Sequence, residues 1–350
     1  MNARQISSKE KAPNATRKVL QVLLVIAMSS VATWTVVAQD EVRAMWMLSS
    51  SAGSPEAARR AVASAVASGY TALLVPVSLY SGAPPAFEEV LARAHERGLR
   101  VYASLNVNLA TAVDELPASR DHVIYQHPEW LMVPRELASE LMKLDARSPE
   151  YVGRLARWTR AHSSRAAGLY VSPLHTEAAA YLTAAVRNVV QRFDVDGAQL
   201  EALEYPGEDF DYSRLAVELF RTDMRTRLVA GERGRMDQVA SIDPFAYAEE
   251  YADEWRRFRE SRLTALVTRV GGAVKAVRPN AVVSVGIAND AETALRSNLQ
   301  DWRSWMDQGF VDAVSRRAGT LPSILFNSTA LLRAFQDLNP ALAKDVPPSR

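Results

Sequence analysis

Apolar and polar positions along the chain fall into two alternating rhythms. Short, nearly continuous apolar runs recur at residues 41–47 (EVRAMWM), 71–77 (TALLVPV), 100–108 (RVYASLNVN), 193–203, 281–289 (AVVSVGIAN), 310–315 (FVDAVS) and 321–327 (LPSILFN). Uniform apolarity over such lengths is what a strand buried on both faces shows. Longer segments with helix signals separate them. Ser54-Pro55-Glu56 supplies an N-cap, a first-turn proline and a first-turn acid, and Gly69 supplies a stop, so a helix is predicted up to Ser68. Others are predicted over 86–97, stopped by Gly98, over 176–193, over 213–229, from Asp243-Pro244 past Trp255 to 277 with Gly271-Gly272 as an interruption, over 300–308, and from the last strand to 338. Residues 109–165 form a long excursion without a clear period, with a helix opening at Ser148-Pro149-Glu150. Strands alternating with helices predict a parallel α/β fold, and roughly 300 residues suit a (β/α)8 barrel.

The stretch 192–213, RFDVDGAQLEALEYPGEDFDYS, carries the densest chemistry. Phe193, Val195, Leu200 and Leu203 make it a buried strand closed by Pro206-Gly207, yet Asp196, Glu201 and Glu204 lie inside it. An unpartnered buried carboxylate is costly, so an acid at the tip of a strand points to function. Strand alternation puts Gln199, Glu201 and Leu203 on one face, and Ala198, Leu200, Ala202 and Glu204 on the other. Glu201 is the candidate that points into the barrel; its plainer reading is an ion pair with an arginine such as Arg43. Glu204 reads as a surface or helix-packing acid, and Asp196, before Gly197, as a structural turn residue. Asp290 is the candidate second carboxylate, or else the cap of the next helix. Asn106, Asn108 and Asn289 stand at strand ends as candidate ligand partners or turn formers. Trp46, Tyr102, Trp130 and Tyr205 are candidate stacking faces or plain core, and His127, in a loop before Pro128, is a candidate for the same cleft. His95, inside a helix, reads as structural.

Composition narrows the classes. The 350 residues carry 41 basic and 40 acidic side chains, net charge +1, so no basic field for nucleic acid exists. Five histidines without an H-x-x-x-H and no cysteine argue against a zinc site or disulfides. No glycine-rich phosphate motif follows a strand, so no nucleotide cofactor is expected, and neither cofactor nor metal is assigned. Residues 1–18 are polar and basic, 19–38 are free of charge and apolar, and Val36-x-Ala38 ends the run. This is the pattern of a secretory signal cleaved after Ala38, with an uncleaved membrane anchor as the alternative, and it predicts export. A barrel domain over 41–338 and a frayed, proline-rich tail at 339–350 complete the expected organisation.

Several motifs recur together in one known family. EVRAMW, AHERGLRVYASLN, HPEW, the step from Tyr170 to Pro173, RFDVDG with its Tyr205-Pro206 sequel, DFDYS, EWRRFR and QDWRSWMDQGFVDAV stand in that order. The chain resembles the secreted bacterial glycosyl hydrolase-like 10 family, which is similar to family 10 glycosidases and implies a TIM barrel acting on carbohydrate. At the central strand the family reads Asp-Gly-x-His-x-Asp-Tyr-x-Arg-Tyr-Pro. Asp196, Gly197, Tyr205 and Pro206 match; the family's His is Gln199, its second Asp is Glu201, its Tyr is Ala202 and its Arg is Glu204. After the second strand a Gln-Val-Arg step is replaced by Pro76-Val77-Ser78. Near the C-terminus the seventh β/α unit is shortened, so an incomplete or distorted barrel is expected.

The resemblance implies hydrolysis of an extracellular polysaccharide by carboxylate acid/base chemistry, with Glu201 as principal acid and Asp290 as partner. The alternative is an inactive relative that binds glycan or a cell-envelope partner. A membrane-anchored scaffold is the third, if residues 19–38 stay in the chain.

Overall fold

The computed structural model describes residues 42–114, 116–288, 290–316 and 323–326. The expected signal at 1–38, Asn289, the helix towards Leu338 and the tail at 339–350 lie outside the described residues. Strand β1 (Val42–Trp46) leads through α1 (Pro55–Ala67) to β2 (Ala72–Pro76), and α2 (Phe87–Glu96) leads to β3 (Arg100–Asn106). The Ser54 hydroxyl accepts the Ala57 N–H at 3.2 Å, so α1 starts at its predicted cap. Gly69 and Gly98 end α1 and α2 at φ +71° and +72°, backbone that other residues adopt only with strain.

The excursion holds order that its sequence rhythm does not show. β4 (Leu109–Ala112) pairs antiparallel with β5 (Gly168–Tyr170), with α3 (Pro149–Ala161) between them. A Cβ on Gly168 would overlap the Thr111 carbonyl, so glycine lets these two backbones meet. This ribbon stands apart from the barrel sheet. α4 (Thr176–Arg192) returns the chain to β6 (Gly197–Glu201), which pairs directly with β3.

Four helices follow: α5 (Arg214–Arg227), α6 (Ala230–Ala240), a short one at Ala246–Glu250 and α7 (Ala252–Val277). α6 was not foreseen, and the Asp243-Pro244 opening leads first into the short helix Ala246–Glu250, with the long α7 starting at Ala252. α7 also runs unbroken through Gly271-Gly272. A Cβ on Gly271 would strike the Phe310 carbonyl, so that glycine serves packing rather than a helix break. Phe220, Met224, Tyr247, Trp255 and Phe258 give this helical region a cluster of its own.

β7 (Val282–Ile287), α8 (Trp302–Asp307), β8 (Ala313–Arg316) and β9 (Ser323–Phe326) complete the described chain. The barrel closes in the order β1-β2-β3-β6-β7-β8-β9, with the first six strands parallel and β9 antiparallel to both β8 and β1. Only residues 317–322 separate β8 from β9. A parallel crossover needs about a dozen residues or more, so the last strand can return only in reverse. The fold is thus an incomplete TIM barrel, altered where the sequence is short.

Two aspartates staple the end of the barrel at which the strands begin. Asp196, just before β6, accepts the Val101 N–H at 2.7 Å and meets His95 Nε2 at 2.9 Å. Asp312, just before β8, accepts the Val283 N–H at 2.8 Å and pairs with Lys275 at 2.7 Å. Each carboxylate accepts the N–H of a neighbouring strand's second residue, which is stability work at the face opposite the strand tips.

Candidate functional site

Register decides which side chains face into the barrel. Trp46 pairs with Leu74, Pro76 with Ser104, Asn106 with Glu201, Gln199 with Ser284 and Gly286 with Ser315. Paired residues share a face, so these form the inner lining. Seven strands enclose less space than eight, and the lining is correspondingly small: Ala44, Ala72, Gly197, Ser284, Gly286 and Ser315 surround Tyr102 and Leu74. A Cβ on Gly197 would overlap the Val282 carbonyl and the Tyr102 ring, which explains the glycine of the Asp196-Gly197 pair.

Gln199 is the hub of this interior and is fully buried. Its Nε2 donates to Glu201 Oε1 at 2.5 Å and to Ser315 Oγ at 2.7 Å, while its Oε1 accepts from Ser284 Oγ at 2.5 Å. Glu201, 6% exposed, lies against Gly286 of the adjacent strand β7, where any Cβ would overlap both carboxylate oxygens. A donor below and a bare glycine beside it therefore fix the carboxylate.

Above Glu201 a cleft of about 870 Å³ opens at the C-terminal ends of β1, β2, β3 and β6. Trp46, Pro76, Ser104, Asn106 and Glu201 line it from the strands, the loop at 78–85 forms one wall, and Tyr170 with residues 109–112 forms another. Glu201 is the only carboxylate among the described lining residues. Tyr80, in the loop wall, donates to the Val107 carbonyl at 3.3 Å and stacks on Tyr181 at 6.2 Å. Burial pushes the Tyr80 phenol far above its ordinary value, and the neighbouring Tyr181 adds to this. Among the described residues no cluster of three or more His, Asp or Glu is placed to hold a metal ion.

The remaining candidates stand elsewhere. Arg43 lies at the opposite end of β1, exposed, with its guanidinium over the Tyr70 ring at 5.6 Å. Asp290 is exposed and its Oδ2 accepts the Thr293 N–H at 2.6 Å, a bond that holds its carboxyl below the usual range. It caps a turn and does not line the cleft. Asn108 is buried and donates to the Val171 carbonyl at 2.8 Å, fastening β3's exit to the segment after β5. His127 stacks on buried Trp130 at 3.9 Å, within the packing of the excursion. Tyr205 is fully buried and burial raises its phenol. Asn289 is outside the described residues, and Glu204 is buried rather than at the surface. Gly286, Ser284, Ser315 and Tyr80 went unremarked in the sequence, and Tyr170 was marked only as part of a motif; a glycine inside the run AVVSVGIAN was the one readable signal for the rest.

A model of the glycosyl hydrolase-like 10 family matches residues 81–318. The chain belongs to this family. In this glycosyl hydrolase-like 10 chain the match takes in β3, β6 and the cleft loop from Ser81 onward. Among solved structures, a family 42 β-galactosidase from G. stearothermophilus superposes with a TM-score of 0.50 at 11% identity, covering 79% of this chain and 40% of that one. The PgaB (BpsB) glycoside hydrolase domain from Bordetella bronchiseptica gives 0.47 at 12% identity, covering 79% and 74%. A β-galactosidase from Marinomonas ef1 gives 0.48 at 11% identity, covering 79% and 40%. At such identities the likeness is one of fold, and the chain spans about two-fifths of the β-galactosidases' length. No curated protein matches the chain.

Proposed function

We propose that the protein is an exported carbohydrate-binding member of its family, whose barrel mouth holds a segment of polysaccharide. The observation that carries this reading is the lone carboxylate: among the described lining residues, only Glu201 is acidic. Hydrolysis with retention or inversion uses two carboxyls, about 5 Å or about 6.5–9.5 Å apart. Trp46, Tyr80 and Tyr170 offer aromatic faces to the apolar faces of sugar rings, while Ser104, Asn106 and Glu201 offer hydrogen-bonding partners.

Hydrolysis is the second reading, and one observation favours it. Gln199 and Gly286 seat Glu201 with the fixed geometry that a catalytic acid or nucleophile needs. Export rests on the basic-then-apolar pattern of residues 1–38, with membrane anchoring as the alternative outcome.

The test is a glycan array probed with the mature chain, Trp46→Ala and Glu201→Gln. Binding that weakens by about tenfold or more in Trp46→Ala, a loss of at least ~1.4 kcal/mol, supports the cleft. Product release that vanishes in Glu201→Gln would replace binding with hydrolysis. An array without signal would end the carbohydrate reading.

A further inference from the structure

The cleft loop has a second side. Residues 78–82 form a tight hairpin, with Ser78 and Gly82 exchanging N–H···O bonds at 3.1 and 3.0 Å and the Ser78 hydroxyl accepting the Tyr80 and Ser81 N–H groups. Ser78, Leu79, Gly82 and Ala83 line the cleft on one side of this ridge and a separate groove of about 340 Å³ on the other. The far wall of the groove is one face of α4, carrying Tyr181, Ala184, Ala185, Asn188 and Arg192.

These residues recur at helical spacing, so they form a stripe along the helix axis. From Tyr181 to Arg192 the stripe is about 16 Å long at the usual helical rise. Its ends differ in chemistry from its middle. Tyr181 is 39% exposed, large and aromatic; it stacks on Tyr80, a cleft-lining residue that also meets His122 at 5.2 Å, and it tilts against Trp130 at 5.9 Å. Two alanines leave a shallow floor. Asn188 and Arg192 are exposed, and no salt bridge among the described residues engages Arg192, whose guanidinium rests over Phe193 at 5.0 Å. An aromatic face, a flat floor and free amide and guanidinium donors are what an extended sugar chain requires.

We propose that this groove is a second glycan-binding segment, and that one extended polysaccharide runs from the cleft across the ridge onto α4. The inference rests on the carbohydrate reading of the cleft and adds chain length to it: the ligand is a polymer long enough to occupy both sides. Short oligosaccharides fill the cleft alone. Longer ones gain contacts with Tyr181, Asn188 and Arg192 without losing any.

The test measures affinity for array-bound gluco-, galacto- and N-acetylglucosamine oligomers from disaccharide to octasaccharide. Wild type is compared with the double variant Asn188→Ala/Arg192→Ala, with Tyr181→Ala, and with the cleft variant Trp46→Ala. The expected result is an affinity gain of about tenfold or more, ~1.4 kcal/mol, between the short and long ends of the ladder. Both groove variants lose that gain while binding short oligomers as wild type does, and Trp46→Ala weakens every length. A gain that survives in both groove variants, or no gain in wild type, overturns the groove while leaving the cleft standing. Binding lost in the groove variants but untouched at every length by Trp46→Ala overturns the cleft and the continuous path. Absence of binding at all lengths overturns both.

Discussion

The two sides of the barrel wall follow opposite rules. Facing the helices, Leu73, Val75, Val101, Leu105, Leu200, Val283 and Val285 are completely buried and belong to the main core. Facing inwards, beside the apolar Ala44, Ala72, Leu74 and Tyr102, strands β3, β6, β7 and β8 carry Ser104, Gln199, Ser284 and Ser315, buried as well but polar. Apolar burial of the outer kind contributes about 25 cal/mol for each Å² removed from water. The inner groups contribute little net, roughly 1 kcal/mol per hydrogen bond, and cost more than that when left unmatched. Stability therefore sits on one face of β6, at Ala198 and Leu200, and positioning sits on the other, at Gln199 and Glu201. One strand divides the two tasks between alternate residues.

Substitutions on the two faces break this division in order of size. Leu200→Ala, on the outer face, loses about 2–5 kcal/mol of stability by urea unfolding, because it deletes a buried side chain from a close-packed core. The glycan affinity of the folded fraction stays at the wild-type level. Gly286→Ala, on the inner face, costs about 1–3 kcal/mol through overpacking. Unlike Leu200→Ala it also lowers glycan affinity, since the new methyl displaces the Glu201 carboxylate. Ser315→Ala removes one acceptor from the Gln199 amide and costs about 0.5–1.5 kcal/mol, read by the same unfolding curve.

Asp290→Ala has the smallest effect, about 0.5 kcal/mol, the low end for loss of an exposed capping side chain. Its carboxyl is held low by the Thr293 N–H, so its contribution is present above about pH 4 and fades as pH falls through the folded-state value. The wild-type and Asp290→Ala unfolding midpoints should converge below that pH, with equal glycan affinity at neutral pH. A marked loss of affinity in Asp290→Ala would return it to the cleft.

Local chemistry was legible in the sequence where one segment settles its own structure. The Ser54-Pro55 cap, the glycine stops of α1 and α2 and the apolar strand runs needed no distant partner. The face of Glu201 followed from the period-two rule and a single strand. Features set by contacts across the chain were not legible. β4 and β5 are too short to show a period and meet over a separation bridged by α3, with Gly168 as the only local clue. Gln199 read as a departure from the family's histidine, and its network with Ser284 and Ser315 exists only through the register of β6, β7 and β8.

The DFDYS motif is a similar case. Asp211 accepts the Val133 N–H at 2.9 Å, the Ser213 N–H at 2.8 Å and the Ser213 hydroxyl at 3.1 Å, so the motif fastens the loop after β6 to the excursion. Burial pushes this carboxyl up, and the backbone donors of Val133 and Ser213 act against that shift. Strand ends were equally deceptive for Asn108, which ties β3's exit to Val171, and for Asp290, which closes its own turn; neither faces the cleft.

The most direct test is reducing-end release from the polysaccharide that the mature chain binds most tightly, measured for wild type beside Glu201→Gln. The proposed binding role, resting on Glu201 as the one acid among the described lining residues, predicts tight binding by wild type with no release above the uncatalysed background in either protein. Multiple turnovers by wild type, lost by about a hundredfold or more in Glu201→Gln as removal of a general acid would give, would contradict it and make Glu201 the catalytic residue of an active hydrolase.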